Sequence, residues 1–423
     1  MTDNESKPKA NIDWACHGIE NLPMLDTQEY LNKIEYIRKE FTGRTAAARQ
    51  HRRDIDQLEL NSMEFASANL RHVLPDIPSE DHAGIIDDIL FNRDCSDLDE
   101  DNYFLLDRTT ITDPGSSLAA AKERPVIFCT FHVGSYRLIN HAIISHNLNY
   151  ILPVEGKIYA TQTARYLENL VSCRAYFSSD SQFMVVNAEE PTAALSMARK
   201  ARSGWSVLTY IDGNTGVQGA GRRDAKLLKV RLLGKPIYAR KGIAFLSHFL
   251  KLPIVPVTCE ITGPMERTLT FHEKIEPVAG SEDREVYCQM ATEKLYAVLG
   301  TYLKRSPSQW LGWMELQKYI DLDGLEENEC VDELNAGVVQ EPDEISGNRL
   351  VFNHHRFGFI VQDGQRVLLD KSNYKLLSLP ENISDLLESY REPTEVISMG
   401  ISDEHRDTLG ELISMQMLSV VNE

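Results

Sequence analysis

Four short, wholly apolar runs constrain this chain more than any other feature. VIFCTF from Val126, NYILPV from Asn149, WSVLTYI from Trp205 and PIVPV from Pro253 are each the length of a strand and apolar on both faces. Helical patterns separate them, near Ser135 to Ser145, Pro191 to Ser203 and Ala239 to Leu250. A strand that is apolar on both faces must be covered on both, so the alternation predicts an α/β domain with its sheet buried between helices. Residues 119–320 are assigned to it.

The flanking regions have different textures. Tyr30, Ile34, Ile37 and Phe41 recur as one buried stripe of a helix. A second helix is predicted from about Asp54 to Leu74, where Pro75 stops it, and a third from Ser79 through Ile85, Ile86, Ile89 and Leu90. Residues 1–118 therefore read as an N-terminal helical layer packed on the core. Residues 321–347 carry ten Asp and Glu and no Lys or Arg, the pattern of a solvated linker. Beyond it, RLVFNHHRFGFIVQDGQRVLLD places two apolar runs around Asp363-Gly364, a hairpin signal. ENISDLLESY and DEHRDTLGELISMQML then read as two amphipathic helices, so residues 348–423 form a small α+β unit. With 423 residues, the chain is long enough for two or three packed units.

Charge narrows the function. Lys and Arg number 44 against 63 Asp and Glu, a net charge of -19, and phosphate affinity rests on clustered cations, so no nucleic-acid partner is expected. No apolar run has the length to span a bilayer, and the opening twenty residues lack a signal-peptide core. A cytoplasmic chain without a transmembrane segment is expected. Its seven cysteines stand singly, without a CxxC pair, and imply neither zinc nor a disulfide framework. His141 and His146 lie five apart rather than four, and His354 and His355, adjacent on a predicted strand, would face opposite sides. No metal site is expected.

Chemistry concentrates in two stretches. CTFHVGSYRLIN puts His132 at the carboxyl end of a buried strand, the edge of an α/β sheet where ligands bind. An imidazole there can act as a general base if a second group fixes its tautomer. IDGNTG places Asp212 at the end of another buried strand, on the same edge, followed by turn-forming Gly213, Asn214 and Gly216. A third stretch, Arg222 to Lys241, holds eight Lys and Arg, including Arg222, Arg223 and Lys226, against the single acid Asp224. It suits an anionic partner or a solvated hairpin whose charges prevent edge pairing.

Taken in order, several segments resemble the lysophospholipid acyltransferase superfamily, in particular the late acyltransferases of lipid A biosynthesis. ANLRHVLPDIPSED from Ala68, FHVGSY from Phe131, IDGNTG, RLLGKPIYARKGIAFL and QWLGWM near Gln309 are similar to its successive blocks. The resemblance implies an α/β fold with a central mixed sheet flanked by helices. It implies His132 as the base that activates an acceptor for attack on an acyl thioester, with no covalent acyl-enzyme. Gly134 would keep the approach open, Asp212 and Gly216 would shape the pocket, and Ser135, Gly213, Asn214, Arg222, Arg223, Lys226 and Trp313 would contact substrate. Two positions depart from the family: Arg137 stands where an acid should orient the imidazole, and Glu315 stands where basic residues follow the terminal tryptophan. An Arg137–Glu315 ion pair is the expectation, with Asp212 or Glu315 serving His132.

Asn348 to Val421 resembles the small winged-helix domains that bind leader peptides in ribosomal peptide biosynthesis, with Leu377, Ile383, Leu386, Leu387, Leu409, Leu412 and Ile413 as its core. Together the resemblances imply an acyltransferase that moves a fatty acyl group onto an amine or hydroxyl of a captured peptide. An acyl-carrier-protein or coenzyme A thioester would be the co-substrate, and no cofactor would be tightly bound. The alternatives are a catalytically silent scaffold that holds a peptide or acyl carrier, and a conventional lipid acyltransferase.

Overall fold

In the computed structural model, residues 25–50, 57–212, 226–277, 283–321, 349–396 and 402–421 are described. The chain opens with three helices, α1 (Thr27–Gln50), α2 (Gln57–Val73) and α3 (His82–Glu100), and the buried stripe of α1 includes Tyr30, Ile34 and Ile37. Then come β1 (Thr109–Thr112), α4 (Ser117–Glu123), β2 (Ile127–Thr130), α5 (Leu138–Ser145), β3 (Tyr150–Val154), α6 (Gly156–Tyr176), β4 (Phe183–Asn187), α7 (Ala193–Arg202) and β5 (Ser206–Tyr210). The hairpin β6 (Leu227–Leu232) and β7 (Lys235–Arg240) precedes α8 (Gly242–Leu250), β8 (Ile254–Ile261), β9 (Arg267–Phe271) and α9 (Arg284–Arg305).

Seven strands form one sheet in the order β1-β9-β8-β2-β5-β3-β4. Every pairing is parallel except β8 with β9, which makes the sheet mixed. Its central strand β2 is buried along its whole length, as a both-faced apolar run requires. The four runs that defined the domain all lie in this sheet, as β2, β3, β5 and β8.

Residues 349–421 build a second, smaller core. It comprises β10 (Arg349–Phe352), β11 (Phe357–Gln362), β12 (Gln365–Asp370), β13 (Lys375–Leu377), α10 (Glu381–Ser389), β14 (Thr394–Glu395), α11 (Asp403–Ser414) and β15 (Leu418–Val421). Two antiparallel three-stranded sheets result, β14-β10-β15 and β11-β12-β13. Asp363 and Gly364, with φ of 50° and 76°, make the two-residue turn between β11 and β12, where positive φ at both positions matches the strand twist. Phe352, Phe359, Leu368, Leu387, Leu409 and Leu412 are buried together. His354 and His355 lie in the turn between β10 and β11, not on a strand, and their rings are 4.0 Å apart instead of facing opposite sides. A turn does not obey strand alternation.

This unit rests on α2. The Asn61 side chain accepts from the Val361 amide at 2.9 Å and donates to the Val361 carbonyl at 2.7 Å, covering the outer edge of β11 as a neighbouring strand would. The expected linker lies outside the described residues except for Asp321. Among the described residues, no helix is long and apolar enough to cross a membrane.

Candidate functional site

Strand register builds the site. β2 and β5 are adjacent and parallel, with Thr130 opposite Tyr210, so His132 and Asp212 stand level, two residues beyond each strand, at the carboxyl edge of the sheet. His132 Nδ1 lies 2.9 Å from Asp212 Oδ1, and the His132 backbone amide donates to Asp212 Oδ2 at 2.9 Å. A third donor, Trp310 Nε1, reaches Asp212 Oδ2 at 2.7 Å. The carboxylate is nearly inaccessible, at 4% exposure, while the His132 side chain is 28% exposed.

These contacts fix a tautomer. An ionised carboxylate only accepts, so Nδ1 carries the hydrogen and Nε2 keeps its lone pair. Burial alone would raise the Asp212 carboxyl, but the His132 charge and the hydrogen bonds from His132 and Trp310 outweigh it and hold it below the usual carboxylate range. Asp212 therefore stays charged as His132 gains a proton.

Trp310 is delivered by a short backbone pairing. Gly134 donates to the Gln309 carbonyl at 2.7 Å, Val133 pairs with Trp310, and the Leu311 amide donates to the His132 carbonyl at 3.1 Å. Gly134 is required there for close approach, not for access to the site. Its φ is +53°, and a Cβ would sit 2.1 Å from the Cys259 carbonyl oxygen.

His132 and Asp212 line a cavity of about 730 Å³, together with Arg137, Tyr210, Trp310 and Glu315. The His132 ring packs edge-on against Tyr136 at 4.8 Å and lies tilted by 31° against Tyr210 at 5.2 Å. Burial pushes both phenols above their ordinary range, so they remain neutral walls.

Several expected roles are corrected. Arg137 does not pair with Glu315; it bonds Asp97 and lies 3.4 Å from Glu100, both acids from the end of α3. Burial disfavours its charge, but its anionic neighbours outweigh that and raise its pKa. Glu315 pairs instead with Lys318, at 3.0 Å. Ser135 is fully buried and turned away from the cavity, donating to Asp99 and accepting from Arg267 Nε at 2.9 Å. Trp313 is also fully buried, with its indole N–H on the Pro307 carbonyl at 2.8 Å, because Trp310 fills the place beside Asp212. Lys226 is exposed at the start of β6 and is not among the cavity residues. Gly213, Asn214, Gly216, Arg222 and Arg223 lie outside the described residues.

Beneath the site lies a group that the sequence reading missed. Asp99 accepts from Tyr30 at 2.6 Å and from Arg267 Nε at 2.7 Å, with side-chain exposures of 1% for Arg267 and 0% for Asp99. It ties α1, α3, β9 and the residue after Gly134 into one knot. A signal existed: Arg267 shares strand parity with Leu269 and Phe271, so period-two reading turns it inward. Among the described residues, no group of three or more His, Cys, Asp or Glu is placed to hold a metal.

No family model and no curated protein matches this chain. Among solved structures, the chain is similar to the 1-acyl-sn-glycerophosphate (LPA) acyltransferase from Thermotoga maritima, with 12% identity, covering 62% of this chain and 99% of that one, at a TM-score of 0.29. At that score nothing about this chain's chemistry follows from the likeness.

Proposed function

We propose that this protein is an acyltransferase that moves a fatty acyl group from an acyl thioester to an amine or hydroxyl of a ribosomally made peptide, in the cytoplasm. One observation carries the reading: His132 is bonded through Nδ1 to the buried Asp212, and its other nitrogen is left for the cavity it lines. In this mechanism Nε2 takes the acceptor proton as the acceptor attacks the thioester carbonyl. Asp212 holds the tautomer and stabilises the imidazolium as it forms. The carbon–sulfur bond then breaks, and the departing thiolate receives the proton from His132. No covalent acyl-enzyme is needed.

Arg137 does not count against catalysis. Its charge is met by Asp97 and Glu100, while Asp212 fills the orienting role expected of an acid at position 137. In this account the small C-terminal unit is a winged-helix-like peptide holder. β15 is an outer strand of its sheet and packs beside α11, an edge and helix that can accept an added strand. Holding the acceptor on the same chain raises its local concentration at His132. Acyl carrier protein or coenzyme A would bring the donor.

The test is coexpression of the chain with a candidate leader-bearing precursor peptide, followed by tandem mass analysis of that peptide. An acyl-sized mass addition on a lysine, serine or amino terminus supports the proposal. A bound but unmodified peptide favours the silent scaffold, and acylation of lipid alone favours the conventional lipid enzyme.

A further inference from the structure

The cavity around His132 has a charge pattern that selects among acceptors. Its wall carries Glu59, Glu155, Asp212 and Glu315 against two arginines, Arg93 and Arg137. Both arginines are already engaged. Arg93 meets Glu59 and Asp94, each at 2.9 Å, and Arg137 meets Asp97 and Glu100. A phosphorylated acceptor would have to strip one of these guanidinium groups from two carboxylates. Glu59 and Asp212 are engaged as well, so a cationic acceptor depends on opening the Glu315–Lys318 pair.

Glu315 sits where exchange is easy. Its pair with Lys318 is half exposed, at 36% and 45%, and spans only three residues along the chain, so the ammonium of Lys318 can yield to an incoming one. Tyr319, another wall residue, senses the same field: burial raises its phenol, and Glu315, Asp212 and Glu155 add to the rise against Arg240. Tyr136 and Tyr210, with ring centroids 5.5 Å apart, both stand against His132, and the Arg137 guanidinium already lies over the Tyr136 ring at 4.8 Å.

We propose that the acceptor presented to His132 is a primary amine, a lysine side chain or an amino terminus, and that Glu315 selects it over hydroxyl and phosphorylated groups. This rests on the acyl-transfer reading for its chemistry but not for its binding. The amine arrives as ammonium and loses one proton to water. Its nitrogen then forms a bond to the thioester carbon, the carbon–sulfur bond breaks with its electron pair on sulfur, and the second proton passes through His132 to the thiolate. The product is an amide and a free thiol.

The experiment has two arms on the full chain. The first measures binding of n-hexylamine, n-hexanol and n-hexyl phosphate by calorimetry near neutral pH. Hexylamine is expected to bind at least about tenfold more tightly than either, and Glu315→Gln is expected to remove most of that preference without changing hexanol binding. Equal or weaker binding of the amine, or a preference untouched by Glu315→Gln, overturns the inference. The second arm supplies octanoyl-coenzyme A or octanoyl-carrier protein with a peptide bearing one lysine and one serine. An amide on lysine supports both readings, and an ester on serine overturns the amine assignment alone. Amine binding without any thioester consumption overturns acyl transfer and leaves the amine site standing.

Discussion

At the scale of single residues, Asp212 does the most for its size. It accepts from an imidazole, a backbone amide and an indole, three donors from two segments distant in sequence. Asp212→Asn keeps the volume but cannot hold the same tautomer, and a drop in turnover of about 10²–10⁴-fold is expected from steady-state kinetics. The same carboxyl links to stability. Its folded pKa lies below the unfolded value, so its contribution is fully present above about pH 4 and is lost as pH falls through the folded value. Urea unfolding midpoints from pH 6 to 3 are expected to fall more steeply for wild type than for Asp212→Asn. Gly134 is a second single-residue constraint. Gly134→Ala drives a Cβ into the Cys259 carbonyl at a positive φ, and a loss of about 2–4 kcal/mol is expected in chemical denaturation.

At the scale of elements, the decisive contacts join pieces that do not neighbour one another in sequence. Asp99 on α3 holds Arg267 on β9, Tyr30 on α1 and Ser135 beside Gly134, all away from water. Asp99→Ala strands a buried guanidinium, and a destabilisation of about 3–5 kcal/mol is expected, measured by denaturant unfolding. This scale also explains what the sequence revealed. VIFCTF and WSVLTYI read correctly as strands because a strand apolar on both faces has few other destinations, and Asp363-Gly364 read as a hairpin because its turn demands positive φ. His132 and Asp212 could be placed on one edge by the same reasoning. Partner choice was not legible: Arg137 turns to Asp97 and Glu100 because the end of α3 packs there, a tertiary fact that no local spacing encodes. Choosing Trp313 over Trp310 within QWLGWM failed for the same reason, since the Val133 bridge decides which indole faces Asp212.

At the scale of the whole molecule, the buried Asn69 joins the C-terminal unit to the segment that carries Trp313 and Gln317, whose neighbours Met314 and Leu316 line the cavity. Asn69 on α2 donates to the Trp313 carbonyl at 2.7 Å and to Gln317 at 2.9 Å, while its own carbonyl accepts from Tyr374 of the C-terminal unit at 2.8 Å. His72, stacked on Tyr374 at 4.7 Å, adds a pH dependence to this contact. Burial, then the Lys235 charge, pushes its imidazole down to about 4. The unfolded chain gains that proton below about pH 6.5 and the folded one does not, so stability declines as pH falls from about 6.5 to 4. His82, His141 and His354 are pushed down in the same way, so His72→Gln is expected to lessen that decline in unfolding midpoints, not abolish it. Acyl transfer at His132 is tested most directly by the intact mass of the coexpressed peptide with wild-type protein and with His132→Ala, the variant being checked for native folding by circular dichroism. An acyl-sized gain that disappears in a folded His132→Ala protein is the predicted result; a gain that persists in that variant, or an unmodified peptide with both proteins, would contradict it.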